Sequence, residues 1–308
     1  MKKLGLIFSL FLAAAAAAQD AGSIYHDGWN DLNKNGKKDI YEDPSRPVEE
    51  RVEDLIGRMT MAEKLGQLWQ ANMTPQSPKN LHDRLAAGGV SSFLSGATFI
   101  ESPAIRNKLQ HIAVEQSRLG IPLIFGHDAI HGFRTVFPIP LALACAWEPE
   151  LFERTQRISA REASAAGIDW TFSPMVDLAR DPRWGRIAEG FGEDPWLGST
   201  DAAASVIGFQ GTNVAEPDRV VACLKHYVGY GAAEGGRDYN TTEISEYMLR
   251  NFYLPQFKAG VDAGAWTIMS AFNDLSGMPA SANHHTLTEI LRDQWHFKGF
   301  VVSDYESV

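Results

Sequence analysis

The chain has 308 residues, of which 44% are hydrophobic, and its formal net charge at pH 7 is −10. A chain of this length and apolar content can bury a large core, which excludes a disordered protein and suits one large domain or two ordinary ones. The acidic balance disfavours binding to the phosphate backbone of nucleic acids.

The amino terminus has the layout of a secretory signal peptide. Lys2 and Lys3 precede an apolar run from Leu4 to Leu12, which is followed by a tract of small residues. We expect cleavage after Ala18, giving a signal peptide over residues 1–18. The apolar run is shorter than the roughly 20 residues of a bilayer-spanning helix, and no later stretch approaches that length. The mature protein is therefore expected to be periplasmic or secreted, without a membrane span.

A second segment, residues 19–45, contains a pattern typical of a calcium loop. The sequence DLNKNGKKDIYE matches DxNxNG followed by Glu at position twelve, with Gly at position six for the sharp turn. The alternative is an Asx-turn linker, because prolines deny the loop an immediate exiting helix and lysines reduce its negative charge. We expect a structural Ca²⁺ here rather than a cofactor required for catalysis, with the ligand positions Asp31, Asn33, Asn35, Lys37 and Glu42.

From about residue 46 the sequence alternates helical and strand patterns. Val48, Val52 and Ile56 fall at helical spacing, and Thr60 with Glu63 forms a capping box that restarts a helix through Leu68. Apolar, β-branched runs then alternate with longer amphipathic ones, which implies parallel strands joined by helical crossovers. The predicted strands are 89–94, 122–125, 169–172, 220–224, 266–270 and 300–302, and the predicted helices are about 103–118, 149–166, 195–210, 244–262 and 285–296.

Polar side chains follow these strands at the points where they end. Gathered at the carboxyl ends of parallel strands, such residues are typical of the catalytic face of a (β/α)8 TIM barrel. Only six strands are clear, so we expect an α/β barrel that is incomplete at its carboxyl terminus, with an open doubly wound sheet as the alternative. The barrel domain would cover residues 46–308. Asp177 and Asn273 also follow predicted strands, and the charged residues expected to converge on the barrel face are Asp128, Arg183, Arg186, Lys225, His226 and Asp304.

This mixture of carboxylates and cations suits a neutral, polyhydroxylated ligand. Carboxylates accept hydrogen bonds from hydroxyl groups, while Lys, Arg and His donate to hydroxyl oxygens and keep nearby carboxylates ionised. The face has no HExxH or paired His/Cys spacing for a metal, and no GxSxG for a serine hydrolase. Lys225 could serve as a Schiff-base lysine, but carboxylates around it favour the protonated form and a binding role.

Cys145 and Cys223 are the two cysteines of the chain, and no CxxC spacing indicates a metal or redox site. Cysteine is readily buried, so we expect two buried free thiols. A disulfide between them is the alternative in an oxidising compartment.

Several segments resemble glycoside hydrolase family 3, in particular its periplasmic β-glucosidase branch. They are IPLIFGHDAIHG (121–132), DLARDPRWGRIAEGFGEDP (177–195), LKHYVGYGAAEGGRDYN (224–240), MSAFNDLSGMPA (269–280) and LRDQWHFKGFVVSDYESV (291–308). The resemblance implies an amino-terminal (β/α) barrel followed by an α/β sandwich domain. It also implies retaining, exo-acting hydrolysis of terminal β-D-glucosyl residues through a covalent glycosyl-enzyme.

Carried over by position, the resemblance makes Asp304 the nucleophile. Asp128 would bind the outer hydroxyls of the sugar, helped by Arg186 of PRWGR and by Lys225 and His226 of the KH pair. Met269 and Ser270 would line the same pocket. Tyr305 stands where many members have Trp, which bears on stacking against the sugar.

A retaining enzyme also needs a second carboxyl group as acid and base. The resemblance puts this Glu beyond Val308, because the loop after the KH pair lacks the Asp-His pair of the β-N-acetylhexosaminidase branch. We therefore expect the sequence to be truncated and the 308-residue chain alone to hydrolyse glycosides poorly. The alternatives are a β-xylosidase of the same family, a non-catalytic sugar-binding barrel and, more distantly, a Schiff-base lyase that uses Lys225.

Overall fold

The structure is a computed structural model that describes residues 23–73, 80–95 and 103–308. The predicted signal peptide lies outside the described residues. The described residues form two compact units, a smaller one of residues 23–71, 80–92 and 104–123 and a larger one of residues 72–73, 93–95, 103 and 124–308. No helix in these residues is long and apolar enough to cross a membrane.

The smaller unit begins with an antiparallel hairpin and continues with short helices. Its capping box is present as predicted: Thr60 Oγ1 accepts from the Glu63 backbone N–H at 3.3 Å, and Glu63 Oε2 accepts from the Thr60 N–H at 2.8 Å. The buried ring of Tyr41 donates through its hydroxyl to the Leu119 carbonyl at 3.3 Å. The elements that lie wholly or partly in this unit are β1 (Tyr25–His26), β2 (Trp29–Asn30), a 3₁₀ turn (Ile40–Glu42), α1 (Val48–Arg58), α2 (Met61–Gln67), β3 (Gln70–Met73), α3 (Leu81–Ala86), β4 (Ser92–Ser95), α4 (Pro103–His111) and a π-helical turn (Ile112–Gln116).

Strand β3 was not predicted. The apolar pattern was expected to continue as a helix through Leu68, but α2 ends at Gln67 and Leu68 is left 84% exposed. Leu68 therefore does not continue a buried face of the helix. The chain then turns directly into β3, whose last residues belong to the larger unit.

The larger unit alternates parallel strands with helices. In it β5 pairs with β6, with Gly126 opposite Trp170, and an isolated parallel bridge joins Trp170 to Val221 just before β7. The next sheet has the order β11-β8-β7, and its pairs are parallel. The elements are β5 (Ile124–His127), α5 (Pro140–Ala144), α6 (Pro149–Ala165), β6 (Trp170–Thr171), α7 (Pro195–Gln210), β7 (Cys223–Tyr227), α8 (Glu246–Met248), a π-helical turn (Leu249–Tyr253), α9 (Pro255–Asp262), β8 (Thr267–Ser270), β9 (Asp274–Leu275), β10 (Met278–Pro279), a π-type helix (His285–Gln294) and β11 (Phe300–Val302), with 3₁₀ turns at Ile187–Glu189, Tyr230–Ala232, Glu234–Gly236 and Ala280–Ala282.

The alternation of parallel strands and helices confirms the predicted α/β class. Each predicted strand has a counterpart, shifted by up to a few residues. The described residues do not form a closed barrel. Among them β11 pairs with one strand, β8, and β6 is joined towards β7 by the isolated bridge from Trp170 to Val221 instead of a strand pairing. Closure would require each strand to pair on both sides around a ring.

The core of the larger unit lies between its strands and helices. Trp170, Phe172, Cys223 and Met269 pack together beneath the carboxyl ends of the strands. Both cysteines are free, as expected, and Cys223 is buried. The prediction of burial was wrong for Cys145, which is exposed at the end of the short helix α5.

Candidate active site

Asp304 lies two residues after the end of β11 and is buried, with 7% of the residue exposed. Its Oδ1 accepts a hydrogen bond from the Tyr305 backbone N–H at 2.7 Å. Its Oδ2 is buried and has no hydrogen-bond partner among the described residues. Burial raises the pKa of this carboxyl to about 6, although the nearby charges of Lys225 and Arg186 lower the pKa. One oxygen is thus anchored and the other is left for chemistry.

The residue after the nucleophile candidate is tied to β3. Asn72 Nδ2 donates to the Tyr305 hydroxyl at 2.9 Å, and both residues belong to the larger unit. The Tyr305 side chain is 53% exposed, so its ring presents a free face beside Asp304.

Lys225 is held in β7 by its surroundings and by one ion pair. The residue is 4% exposed, and its Nζ lies 2.6 Å from Oδ1 of Asp128. Asp128 comes immediately after β5, and its side chain is 48% exposed. A buried ammonium needs such a partner, whereas the carboxylate of Asp128 is still open to a ligand. The pair therefore combines a fixed cation with an accessible acceptor.

His226 lies between two carboxylates. Its Nδ1 and its backbone N–H meet the same Oδ2 of Asp177, at 2.7 and 2.9 Å. Its Nε2 is 3.3 Å from Oδ2 of Asp304. Burial, followed by the charges of Lys225 and Arg186, lowers the pKa of His226 well below its usual range. Burial raises the pKa of Asp177 to about 7.

Arg186 is anchored beside this cluster by a two-pronged ion pair. Its Nε and Nη2 meet the two carboxylate oxygens of Glu189 at 2.7 and 2.9 Å. Its guanidinium carbon lies 5.5 Å from the centre of the Tyr230 ring. The hydroxyl of Tyr230 and the indole N–H of Trp184 both donate to Asp238 Oδ1, at 2.5 and 3.0 Å. The loop that carries PRWGR is thereby locked to the loop after β7.

Met269 and Ser270, the other predicted pocket residues, end β8. Met269 pairs in register with Val302 on β11, two residues before Asp304, and its side chain belongs to the apolar cluster below the site. Ser270 is buried, with its Oγ 3.0 Å from the Oγ of Ser281. Both residues thus support the floor of the site.

Arg183 was expected at this face, but the structure places it elsewhere. Its side chain is 71% exposed and binds Asp181, two residues away. Because the guanidinium of Arg183 is solvated and already paired with Asp181, it needs no carboxylate inside the site. Arg186, three residues later, is the arginine whose charge lowers the pKa of Asp304.

Two residues of the site were not assigned a role from the sequence. Asp177 was noticed as a polar residue after a strand, and Glu189 stood inside a quoted motif. The spacing of Arg186 and Glu189, three apart in a helical turn, was a usable signal for their ion pair. The partnership of Asp177 with His226 crosses from one strand end to another and had no local signal.

The predicted calcium loop belongs to the smaller unit. Asp31, 6% exposed, accepts from the backbone N–H of Asn35 at 3.0 Å and of Gly36 at 2.8 Å. Gly36 has φ of 75°, which explains the glycine at this position. Asn35 Oδ1 accepts from the Lys37 N–H at 2.7 Å. The chain therefore turns around the side chain of Asp31.

The remaining loop positions close on Asp39 and Glu42. Asp39 Oδ2 accepts from the side-chain amides of Asn33 and Asn35, at 2.6 and 2.7 Å. Glu42 accepts from the backbone N–H of Asn33 at 3.1 Å and of Asp39 at 2.9 Å. Within the described residues no three His, Cys, Asp or Glu side chains are grouped as metal ligands. In this loop the carboxylates accept N–H bonds instead. Asp39, at position nine, was quoted in the motif but not counted among the predicted ligands.

Comparison with known proteins gives a consistent family. Residues 60–308 match the glycosyl hydrolase family 3 N-terminal domain. A periplasmic beta-glucosidase of Salmonella typhimurium is 41% identical over 258 residues, which is 83% of this chain and 33% of that protein. A periplasmic beta-glucosidase/beta-xylosidase of Dickeya chrysanthemi is 33% identical over 317 residues, 90% of this chain and 48% of that protein.

Solved structures give the same picture. The crystal structure of a beta-glucosidase from Listeria innocua in complex with isofagomine matches with a TM-score of 0.78 and 40% identity, covering 84% of this chain and 37% of that one. The chain spans about a third of the length of the first curated relatives that it matches, 33% and 38%. The match over most of the sequence and the shared fold show that this chain belongs to glycoside hydrolase family 3.

Proposed function

We propose that the chain carries the nucleophile and first sugar subsite of a retaining, exo-acting β-glucosidase. The observation that supports it most directly is Asp304, a buried carboxylate with one anchored and one unpartnered oxygen. Lys225 and Arg186, each held by its own carboxylate, supply positive charge around it. The β-glucosidases among the relatives and solved structures support a β-D-glucosyl substrate.

In this proposal Oδ2 of Asp304 attacks the anomeric carbon of a terminal non-reducing β-D-glucosyl unit. The bond from that carbon to the leaving oxygen breaks as the carbon–Oδ2 bond forms, and a general acid protonates the leaving oxygen. Water, deprotonated by the same residue, then cleaves the glycosyl-enzyme. Asp128 accepts from sugar hydroxyls, and Lys225 and Arg186 donate to hydroxyl oxygens, while the Nε2 of His226 faces Asp304.

The acid/base residue is proposed to lie in sequence that follows Val308 in the full-length protein, together with an α/β sandwich domain. This fits the share of about a third that the chain covers of its first relatives. On the same grounds we propose that the strands of this chain belong to a (β/α)8 barrel completed by that further sequence. The periplasmic names of two relatives and the signal-like residues 1–18 support a periplasmic or secreted location.

Covalent labelling tests the proposed nucleophile without needing the acid. The probe is 2,4-dinitrophenyl 2-deoxy-2-fluoro-β-D-glucopyranoside, whose leaving group departs as an anion and needs no proton. We expect one glucosyl adduct on the purified chain, mapped by peptide mass spectrometry to Asp304, with the labelling rate falling as the pH drops below about 6. An adduct elsewhere, or none while the full-length protein is labelled at another carboxylate, would contradict the assignment.

The labelling experiment, together with a binding measurement and borohydride trapping, distinguishes the alternative functions. Two curated relatives from Formosa agariphila have β-xylosidase names, one of them 33% identical over 287 residues. Faster labelling by the corresponding 2-deoxy-2-fluoroxyloside would favour a β-xylosidase. Binding of glucose without labelling of the full-length protein would favour the sugar-binding alternative. Borohydride trapping of a carbonyl substrate on Lys225 would favour the Schiff-base lyase.

We also propose that the loop from Asp31 to Glu42 binds Ca²⁺ as a structural ion that catalysis does not require. The support is the DxNxNG pattern with Glu at position twelve and two nearly buried carboxylates, Asp31 and Glu42, exposed by 6% and 4%. An ion would replace the amide donors that Asn33 and Asn35 now direct at Asp39. Lys37 would contribute through its backbone carbonyl.

A further inference from the structure

Asp177 lies behind His226, away from solvent. The Asp177 and His226 side chains are each 1% exposed, so Asp177 does not present a surface to a ligand. One of its oxygens meets both the backbone N–H and the Nδ1 of His226, while the other, Oδ1, has no hydrogen-bond partner among the described residues. The contacts of this carboxyl are therefore directed at the histidine.

We propose that Asp177 is a positioning residue, which fixes His226 with its Nε2–H directed at Oδ2 of Asp304 and so holds the nucleophile ionised. The inference rests on the proposed function, because it assumes that Asp304 attacks the sugar. The 3.3 Å contact between Nε2 and Oδ2 is not aligned as a hydrogen bond in the free enzyme, and catalytic contacts often become aligned only when substrate binds.

The position of two protons decides what Nε2 presents to Asp304. A proton lies in the 2.7 Å contact between Asp177 Oδ2 and His226 Nδ1. If Asp177 carries it, the neutral imidazole has its own proton on Nε2. If Nδ1 carries it, Nε2 is protonated only in an imidazolium paired with an ionised Asp177, and a neutral ring would turn a lone pair towards Asp304. Because Oδ2 of Asp304 lies 3.3 Å from Nε2, an ionised Asp304 favours the two arrangements that place a proton on Nε2, and the Asp177 carboxyl allows both.

The charges around the cluster do not supply this donor by other means. Arg186 is neutralised by Glu189, and Lys225 by Asp128. The imidazole also contacts two aromatic rings, Tyr230 at 5.0 Å and Phe272 at 6.1 Å between ring centroids. These groups set the field at Asp304, but none of them determines which nitrogen of His226 carries hydrogen.

Replacing Asp177 with asparagine tests the idea sharply because the backbone N–H of His226 is a fixed donor. It lies 2.9 Å from the oxygen that also meets Nδ1. The asparagine amide must place its oxygen at this position, because its NH₂ group would otherwise face the backbone N–H of His226, which is also a donor. That oxygen accepts from Nδ1–H, and a neutral ring then turns a lone pair on Nε2 towards Asp304. The same shape and the same two hydrogen bonds remain, with the wrong tautomer.

The experiment measures the rate of labelling by the 2-fluoroglucoside against pH for the wild-type chain and for Asp177→Asn. In this step the bond between the anomeric carbon and Asp304 Oδ2 forms while dinitrophenolate leaves. We expect the rate near neutral pH to fall by about 10²-fold or more, by analogy with other aspartate–histidine pairs. We also expect the acidic limb to move up by about one pH unit or more, because the lone pair favours a protonated Asp304.

A matched control is Asp201→Asn, which converts another buried carboxylate in the same unit without touching the site. Asp201 lies in α7, is 1% exposed and has a pKa raised to about 7 by burial. We expect its labelling rate and acidic limb to match the wild type. Thermal unfolding of both variants shows whether they fold.

The outcomes separate this inference from the proposed function. If the wild type is not labelled at Asp304, the proposed function fails. If the wild type is labelled and a folded Asp177→Asn has the same acidic limb, the positioning role is wrong. ¹⁵N NMR of the histidine rings in the unsubstituted chain provides a second test: we expect a proton on Nε2 of His226 at neutral pH, and an unprotonated Nε2 there would overturn the inference.

Discussion

Two regions of the larger unit bury carboxylates, and they differ in what surrounds the charge. At the strand ends, Asp177 has a pKa raised to about 7, and one of its oxygens meets both the backbone N–H and the Nδ1 of His226. Between the helices, Asp201 of α7 has a pKa raised to about 7 by burial alone, and its Oδ2 has no hydrogen-bond partner among the described residues. An elevated pKa therefore reports burial, whereas the directed contacts identify the functional region.

The helix region is polar in more than one place. Gln156 of α6, Ser205 of α7 and Gln256 of α9 also have buried side-chain atoms without partners in the described part of the chain. In the strand-end region the buried cations each have a carboxylate within 3 Å. We expect substitutions in the helix region to change stability and substitutions in the strand-end region to change chemistry.

The largest expected effect is that of removing the nucleophile. Asp304→Asn keeps the side-chain shape but cannot form a stable glycosyl ester, so we expect loss of labelling and at least about a 10³-fold fall in kcat of the full-length protein. Labelling and hydrolysis of an aryl β-glucoside measure it. Substantial turnover by folded Asp304→Asn would contradict the assignment of the chemistry to the strand-end region.

A smaller effect is expected for Lys225→Met, which removes the cation but keeps most of the apolar stem. Asp128 would lose its partner at 2.6 Å, and Asp304 would lose a charge that lowers its pKa. We expect labelling at pH 7 to slow by about 10²-fold. Lys258→Met is the control, because Lys258 forms an exposed ion pair with Asp262 on α9. Equal rates for the two variants would refute a special role for Lys225.

Asp201→Asn is expected to change stability with pH. The native carboxyl has a pKa of about 7, above the model-peptide value of 3.8, so the folded chain binds this proton more tightly than the unfolded chain. Wild-type stability relative to the variant is thus expected to fall as pH rises from about 4 to 7, and to stay constant above 7. The accumulated difference should be at most about 4 kcal/mol in the free energy of unfolding, since each pKa unit corresponds to about 1.4 kcal/mol.

Urea unfolding at several pH values measures this difference. Asp262→Asn on the exposed surface of α9 is the control and should show no such slope over that range. A difference between wild type and Asp201→Asn that does not vary with pH would mean that the buried carboxyl is not what titrates.

The smallest expected effect is that of Ca²⁺ on the amino-terminal loop. If the loop binds the ion, Ca²⁺ at ten times its Kd should stabilise the chain by about 1.4 kcal/mol. Calorimetry measures binding directly, and Asp31→Ala should abolish it without affecting labelling at Asp304. Absence of binding at millimolar Ca²⁺ would refute the site and leave the loop as a hydrogen-bonded turn.

Much of the strand-end region could be predicted from the sequence because its signals are local. An apolar run followed by a polar residue predicted where Asp128 and Asp304 lie, and the structure places these strands in parallel with their neighbours. Lys225 was predicted to follow its strand but lies within β7. The register between strands is not local. Nothing in the sequence around Asp177 shows that it meets His226, or that Arg186 rather than Arg183 turns inward.

The misjudged elements have similar causes. Apolar residues predicted a longer helix after Thr60, but Leu65 and Leu68 are exposed by 60% and 84%, and the chain turns into β3. Burial of Cys145 was expected from its residue type, but the end of a short helix leaves it exposed. The exposure of a residue depends on which other parts of the chain pack against it, and the local sequence pattern does not contain that information.

The hydrogen bond from Asn72 to Tyr305 joins residues 233 positions apart. Because a ribosome delivers the chain from its amino terminus, the Lys225, His226 and Asp177 part of the site emerges before Asp304 does. A nascent chain would thus present the paired cations Lys225 and Arg186 first and receive the carboxylate of Asp304 last. Shorter translation products would lack the proposed nucleophile, which follows β11, the partner of β8.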